Sequence, residues 1–146
     1  MVRREYKCGR CGKEYTLDEY LRLKKVPVNP NDPDPRLGSG YTSVCSCGYV
    51  FGKDKWMKKT KVELEECEVE VSTVFLEVNH GSDEHPLWYE TRIFPESPMI
   101  DCWNVWRYET REEAERGHER IVKLLKDGKY VIRATQFSLN VIDKER

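Results

Sequence analysis

Two short cysteine pairs constrain this chain more than any other feature: Cys8-Gly9-Arg10-Cys11 and Cys45-Ser46-Cys47. A tight turn between paired cysteines points two sulfurs at one centre without strain, and four thiolates together satisfy a tetrahedral metal ion at about 2.3 Å per bond. Each pair is followed by a glycine (Gly12, Gly48) and, four residues after its second cysteine, by an aromatic (Tyr15, Phe51). Glycine takes the positive φ that such a turn needs, and a ring at that place shields the sulfurs from water. Two disulfides in a secreted protein are the competing reading. Residues 1–5 lead into no apolar stretch, and no run is long and apolar enough to span a membrane. A reducing cytoplasm, where cysteine pairs hold metal, is the expected compartment.

The doubled pattern, cysteine pair, glycine and aromatic, resembles a zinc ribbon over residues 1 to about 56. The resemblance implies one structural Zn²⁺ held by Cys8, Cys11, Cys45 and Cys47. The second pair departs from most ribbons in having one residue between its cysteines instead of two. Residues 12–44, 33 in all, separate the pairs, so the ribbon carries an insertion. A hairpin opened by Tyr6 and closed near Tyr15 should hold the first pair. Residues 16–25 then read as a short helix, with Leu17, Tyr20, Leu21 and Leu23 toward one side and Asp18 and Glu19 in the first turn. Pro27 is expected to end it. Residues 28–35, with Pro30, Pro33 and Pro35, read as an extended loop, and Gly38-Ser39-Gly40 should turn the chain back.

A length of 146 residues suits a small metal module joined to one compact partner. Residues 1–60 carry 13 Lys and Arg against 7 Asp and Glu, whereas residues 61–146 carry 12 against 19. A domain boundary near residue 60 is expected, giving a ribbon domain of residues 1–60 and a second domain of 61–146. Four thiolates on Zn²⁺ leave the first span at about +4. Its basic side chains bracket the cysteine pairs: Arg3, Arg4, Lys7, Arg10 and Lys13 around one tip, and Lys53, Lys55, Lys58 and Lys59 around the other. They are the candidate surface for a protein partner or for a phosphate backbone.

The second half reads as strands and one helix. In residues 62–71 apolar residues fall first on even positions and then on odd ones, which one strand with a bulge at Glu65-Glu66 would explain. Residues 72–79, 87–94, 102–108 and 129–142 supply further strands. Trp103 and Trp106 should point to opposite faces of theirs, leaving one exposed for binding. From Arg111 to about Lys126 the pattern is helical, with Thr110 as N-cap, Glu113 completing a capping box and Gly128 just past the last turn. Ala114, His118, Ile121, Val122 and Leu125 share its apolar face. The expected class is α+β: an N-terminal zinc ribbon with an inserted helix and Pro-rich loop, then a small, mainly antiparallel sheet with one packed helix.

Residues 72 to about 125 carry Asn79-His80, the run Pro86-Leu87-Trp88-Tyr89-Glu90-Thr91, and Arg107-Tyr108-Glu109-Thr110 leading through Glu112-Glu113-Ala114 to Gly117-His118. This set resembles a group of small uncharacterised proteins encoded by phages and prophages. It departs from them in lacking a glycine-rich segment after His80. The resemblance implies a viral setting, in the cytoplasm of a host cell, and no reaction.

Among candidate site residues, His80, Asp83, Glu84 and His85 form a loop cluster that could hold a metal, the basis of an alternative reading as a metal-dependent hydrolase or nuclease. His118 reads as a core imidazole bonded to a backbone carbonyl, with Gly117 permitting close approach to the sheet. Glu63, Glu65, Glu66, Glu68 and Glu70 read as a solvated acidic edge that could also bind an ion together with Glu90. Cys67 and Cys102 read as buried apolar residues. No Ser-His-Asp order, phosphate-cradling glycine loop or HExxH occurs. The reading is a non-enzymatic binding module with one Zn²⁺. Its partner would be a host or phage protein, nucleic acid is the second class, and no membrane is involved.

Overall fold

The computed structural model describes residues 3–53, 55–65, 67–96, 101–102, 104–128, 130–134 and 138–143. The chain forms two compact units, one of Met1–Trp56 with Phe75–Pro86 and one of Met57–Val74 with Leu87–Arg146. Residues 75–86 therefore join the first unit although they lie beyond its contiguous span.

In the first unit β1 (Arg4–Lys7) and β2 (Glu14–Thr16) make the hairpin expected around the first cysteine pair. Thr16 caps α1 (Leu17–Leu21) through a full capping box: Glu19 N donates to its Oγ1 at 3.2 Å, and its own N donates to Glu19 Oε1 at 3.0 Å. This helix stops well short of residue 25. Leu17 and Leu21 stay exposed, so little apolar face holds a longer helix down. Lys25 also gathers its closing carbonyls, its Nζ lying 3.0 Å from Tyr20 O and 3.2 Å from Leu21 O. Lys25 instead opens β3 (Lys25–Pro27), antiparallel to β4 (Tyr41–Ser43).

Pro27 thus ends a strand and not the helix. Val28 N donates to Gly40 O and Val44 N to Lys24 O, which puts the inward register at residues 24, 26 and 28. The N–H that proline lacks falls on the outer edge, where no ladder bond is lost. Residues 28–40 are turned and not extended, because their acids and amides bond their own backbone. Asn29 Oδ1 accepts from Asn31 N at 3.0 Å, and Asp32 Oδ1 from Asp34 N at 3.0 Å. Asp32 Oδ2 also accepts from Ser39 N at 2.9 Å, a closure possible only because a Cβ on Gly38 would stand 2.1 Å from that oxygen.

In the second unit β5 (Met57–Glu63), β6 (Glu68–Phe75), β7 (Tyr89–Pro95) and β9 (Val105–Tyr108) form a four-stranded sheet in that order. The expected single bulged strand over residues 62–71 is a hairpin: β5 and β6 run antiparallel from Met57↔Val74 to Glu63↔Glu68, and Leu64 N donates to Cys67 O at 2.9 Å. A short turn shifts the apolar phase just as a bulge does. Glu66 itself lies outside the described residues. The expected strand over 102–108 is divided between β8 (Asp101–Cys102) and β9, which belong to different sheets. Residues 129–142 likewise form two strands, β10 (Tyr130–Ala134) and β11 (Ser138–Asp143), antiparallel to each other, with β11 parallel to β8. Trp103 and the side chain of Cys102 lie outside what is described; Trp106 and Cys67 are partly buried against the core.

Helix α2 (Arg111–Lys126) follows its sequence pattern closely. Thr110 Oγ1 accepts from Glu113 N at 3.2 Å, and Gly128 has φ 68° just past the end. The side chain of Glu113 accepts from the Thr110 hydroxyl, so the reciprocal half of a capping box is not made. Its buried residues are Ala114, His118, Ile121, Val122 and Leu125, and the last three join the core formed by Val62, Val69, Val71 and Ile93. Each fully buried aliphatic chain there contributes roughly 1.5–3 kcal/mol. At Gly117 a Cβ would meet the Tyr108 ring at 2.4 Å, which is the close approach expected of that glycine. No helix among the described residues is long and apolar enough to cross a membrane.

Candidate metal centre

The two cysteine pairs converge. All four Sγ atoms, of Cys8, Cys11, Cys45 and Cys47, lie within 4.8 Å of one another. Cys8 Sγ stands 3.6 Å from Cys47 Sγ, and Cys11 Sγ 3.6 Å from Cys45 Sγ. Four sulfurs bound tetrahedrally at 2.3 Å would be about 3.8 Å apart. The spacing therefore matches one shared ion.

Local chemistry brings this about. Gly12 and Gly48 take φ 77° and 94°, the turn conformation expected of the glycine after each pair. Gly12 N donates to Cys8 O at 3.1 Å, and Gly48 N to Cys45 O at 2.8 Å. In the first knuckle the N–H groups of Arg10 and Cys11 lie 3.4 and 3.5 Å from Cys8 Sγ. Such donors stabilise a thiolate and orient it for a metal. The aromatics at plus four close the inner side. Tyr15 and Phe51 are buried and meet edge to face at 6.2 Å, and Tyr49, Tyr20 and Leu23 pack with them. Cys8 and Cys45 are buried while Cys11 and Cys47 are exposed, so the centre lies half in this small core and half at the surface.

Tyr15 does more than shield. Its hydroxyl lies 2.9 Å from Cys45 Sγ and 3.3 Å from Ser46 Oγ. Burial pushes the Cys45 thiol up, but the Cys47 N–H, the Tyr15 hydroxyl and the neighbouring thiols outweigh it and bring the pKa down to about 6. Cys8 is driven the other way, to about 12, chiefly by burial. Binding of a cation by these four sulfurs would therefore be coupled to proton release.

The other sequence candidates are not assembled in this way. Among the described residues no second group of three metal-ligating side chains occurs, so His80, Asp83, Glu84 and His85 do not converge. Asp83 lies 3.9 Å from Arg3 Nε, and His85 N donates to Ser82 Oγ. Glu90 is held between Arg92 and Arg107, and Glu70 faces Lys59 at 3.9 Å. Several of the nine basic residues engage other groups of the chain, Arg3 and Lys59 among them. Arg4 pairs with Glu19 at 2.9 Å, Arg10 and Lys13 lie over the rings of Tyr49 and Tyr15, and Lys58 pairs with Glu119. The Lys7 N–H donates to Glu77 O, and Lys55 acts on the carboxylate of that residue. Lys53 lines an apolar groove of about 690 Å³ formed by Val26, Pro27, Val28, Pro30, Val50 and Phe51.

Two residues that sequence reasoning passed over matter here. Tyr49 is 2% exposed and bonds the carboxyl of Glu77, which is itself buried. The one sequence sign was an acid inside the apolar run of residues 74–78. No family model, no curated protein and no solved structure matches this chain.

Proposed function

We propose that the chain is a non-enzymatic zinc-binding module whose first unit is a ribbon closed by one structural Zn²⁺ on Cys8, Cys11, Cys45 and Cys47. The convergence of four sulfurs at tetrahedral spacing carries this reading. An all-thiolate donor set selects zinc or iron among the common metals, and four protein ligands leave no open position for substrate. The ion would cross-link two hairpins whose shared core is only a handful of side chains, supplying folding free energy that so small a unit lacks.

The partner is a protein rather than a nucleic acid. The apolar groove beside the second knuckle supports this, as does the engagement of Arg4, Arg10, Lys13 and Lys58 within the chain. A phage-type setting rests on the sequence resemblance of residues 72–125. Among the described residues the hydrolase alternative has no assembled ligand set behind it.

Mass spectrometry under native conditions with elemental analysis tests the reading. One zinc per chain is expected, retained in His80→Ala and lost in Cys45→Ser. A metal-free folded chain would overturn it, and iron, recognised by its visible absorption, would replace zinc. Affinity capture from expressing cells, with and without nuclease, should retain its protein partner after digestion.

A further inference from the structure

Resting on the zinc reading above, we infer that metal occupancy controls whether residues 75–86 stay docked on the first cysteine hairpin, making this segment a metal-gated arm. The arm lies along the outer edge of β1. Lys7 N donates to Glu77 O at 2.9 Å, Asn79 N donates to Glu5 O at 2.7 Å, and Tyr6 and Val78 form an antiparallel bridge. Arg3 reaches over it, donating to Asn79 O at 2.8 Å and to Gly81 O. These contacts go to the strand that leads directly into Cys8.

The anchor is Glu77. Its φ is 65°, a left-handed conformation that a residue with a Cβ holds only when its surroundings impose it. Its carboxyl is buried and accepts a hydrogen bond from the Tyr49 hydroxyl. Burial raises the pKa of that carboxyl, and the Tyr49 hydroxyl, the Gly52 N–H and Lys55 oppose the rise. A buried carboxyl in a strained backbone stays in place only while its donors do.

Tyr49 in turn is positioned by both knuckles. Cys45 N donates to its carbonyl at 2.8 Å, and its ring lies against Gly9, where a Cβ would stand 3.1 Å from the hydroxyl oxygen. The ring therefore touches one cysteine turn while its backbone belongs to the other. Zn²⁺ held by Cys8, Cys11, Cys45 and Cys47 would tie these two turns together. Without it the thiols would lose their common centre, the Tyr49 ring its fixed seat, and Glu77 one of its two hydrogen-bond donors, leaving the Gly52 N–H. Apart from the Tyr6–Val78 bridge, residues 76–86 have no regular structure of their own to keep them in place.

Backbone hydrogen exchange on the full chain tests this, with the zinc-loaded protein compared before and after chelation. The Lys7 and Asn79 amides and the peptide spanning residues 76–86 should exchange at least about 10-fold faster without metal, while amides within α2 serve as an internal reference. Adding zinc back should restore protection. Tyr49→Phe keeps all four thiols and most of the ring packing, so it should still bind one zinc yet exchange Asn79 faster in the loaded state. If the chain binds no zinc, the zinc reading and the arm both fall. If it binds zinc but protection of residues 76–86 is the same with and without metal, or Tyr49→Phe protects Asn79 as well as the parent chain does, the gated arm is wrong and the zinc reading stands.

Discussion

His118 is fully buried and has a hydroxyl at each ring nitrogen: Thr60 Oγ1 at 2.8 Å from Nε2 and Thr73 Oγ1 at 2.7 Å from Nδ1. Thr73 passes the chain on to Thr91. A neutral imidazole offers one donor and one acceptor, and a hydroxyl can be either, so the group is satisfied without charge. The backbone carbonyl expected from the sequence is not needed. Burial holds the imidazole pKa below its ordinary value, Lys58 lowers it further, and Glu119 opposes. In the unfolded chain the group titrates near 6.5. Between that value and the lower folded pKa the unfolded state binds more protons, so stability rises with pH across this window and is lost as pH falls through it. The slope contributed approaches about 1.4 kcal/mol per pH unit. Urea denaturation of the parent and of His118→Gln from pH 7.5 to 5 should show a stability difference that shrinks on acidification. A constant difference would assign the acid slope to other groups.

At the level of elements, turn position decided what periodicity left open. Apolar alternation in residues 62–71 is compatible with one bulged strand or with a hairpin, since both shift the phase by one residue. The hairpin prevails and brings Glu63 opposite Glu68. Like charges directly opposed across a sheet are unfavourable, so Glu63→Lys should raise the stability of the second unit by about 0.2–1 kcal/mol. A denaturation midpoint that is unchanged or lower would mean that solvent already screens the pair. Helix α2 posed no such ambiguity. Thr110, Gly128 and the five apolar-face residues are read from helix pitch and capping chemistry alone, and all seven are where that reading puts them. The helix expected at 16–25 failed beyond residue 21 because its apolar residues had too little core to cover.

For the molecule as a whole, spatial grouping changes the charge balance. Residues 1–60 are basic, but the first compact unit excludes Lys58 and Lys59 and takes in Glu77, Asp83 and Glu84, leaving 11 Lys and Arg against 10 Asp and Glu. Four thiolates holding one divalent ion would bring the unit to about −1. Binding of single-stranded or duplex nucleic acid should therefore be weak, with Kd above about 1 μM at physiological salt and a slope of log affinity on log salt of only about 1–2. Titrations of labelled DNA and RNA at two salt concentrations measure both, and nanomolar affinity that survives physiological salt would overturn the protein-partner reading. What the sequence by itself determined about this protein is its short-range chemistry. The knuckle turns with Gly12 and Gly48, the aromatics behind them and the buried face of α2 each depend on residues a few positions apart, where turn and helix geometry leave little choice. The tertiary structure alone decided that the Tyr15 hydroxyl meets Cys45 Sγ, that Tyr49 reaches Glu77, and that residues 75–86 return to the first unit. Those outcomes rest on contacts between residues tens of positions apart, selected by packing and burial, which no local pattern encodes.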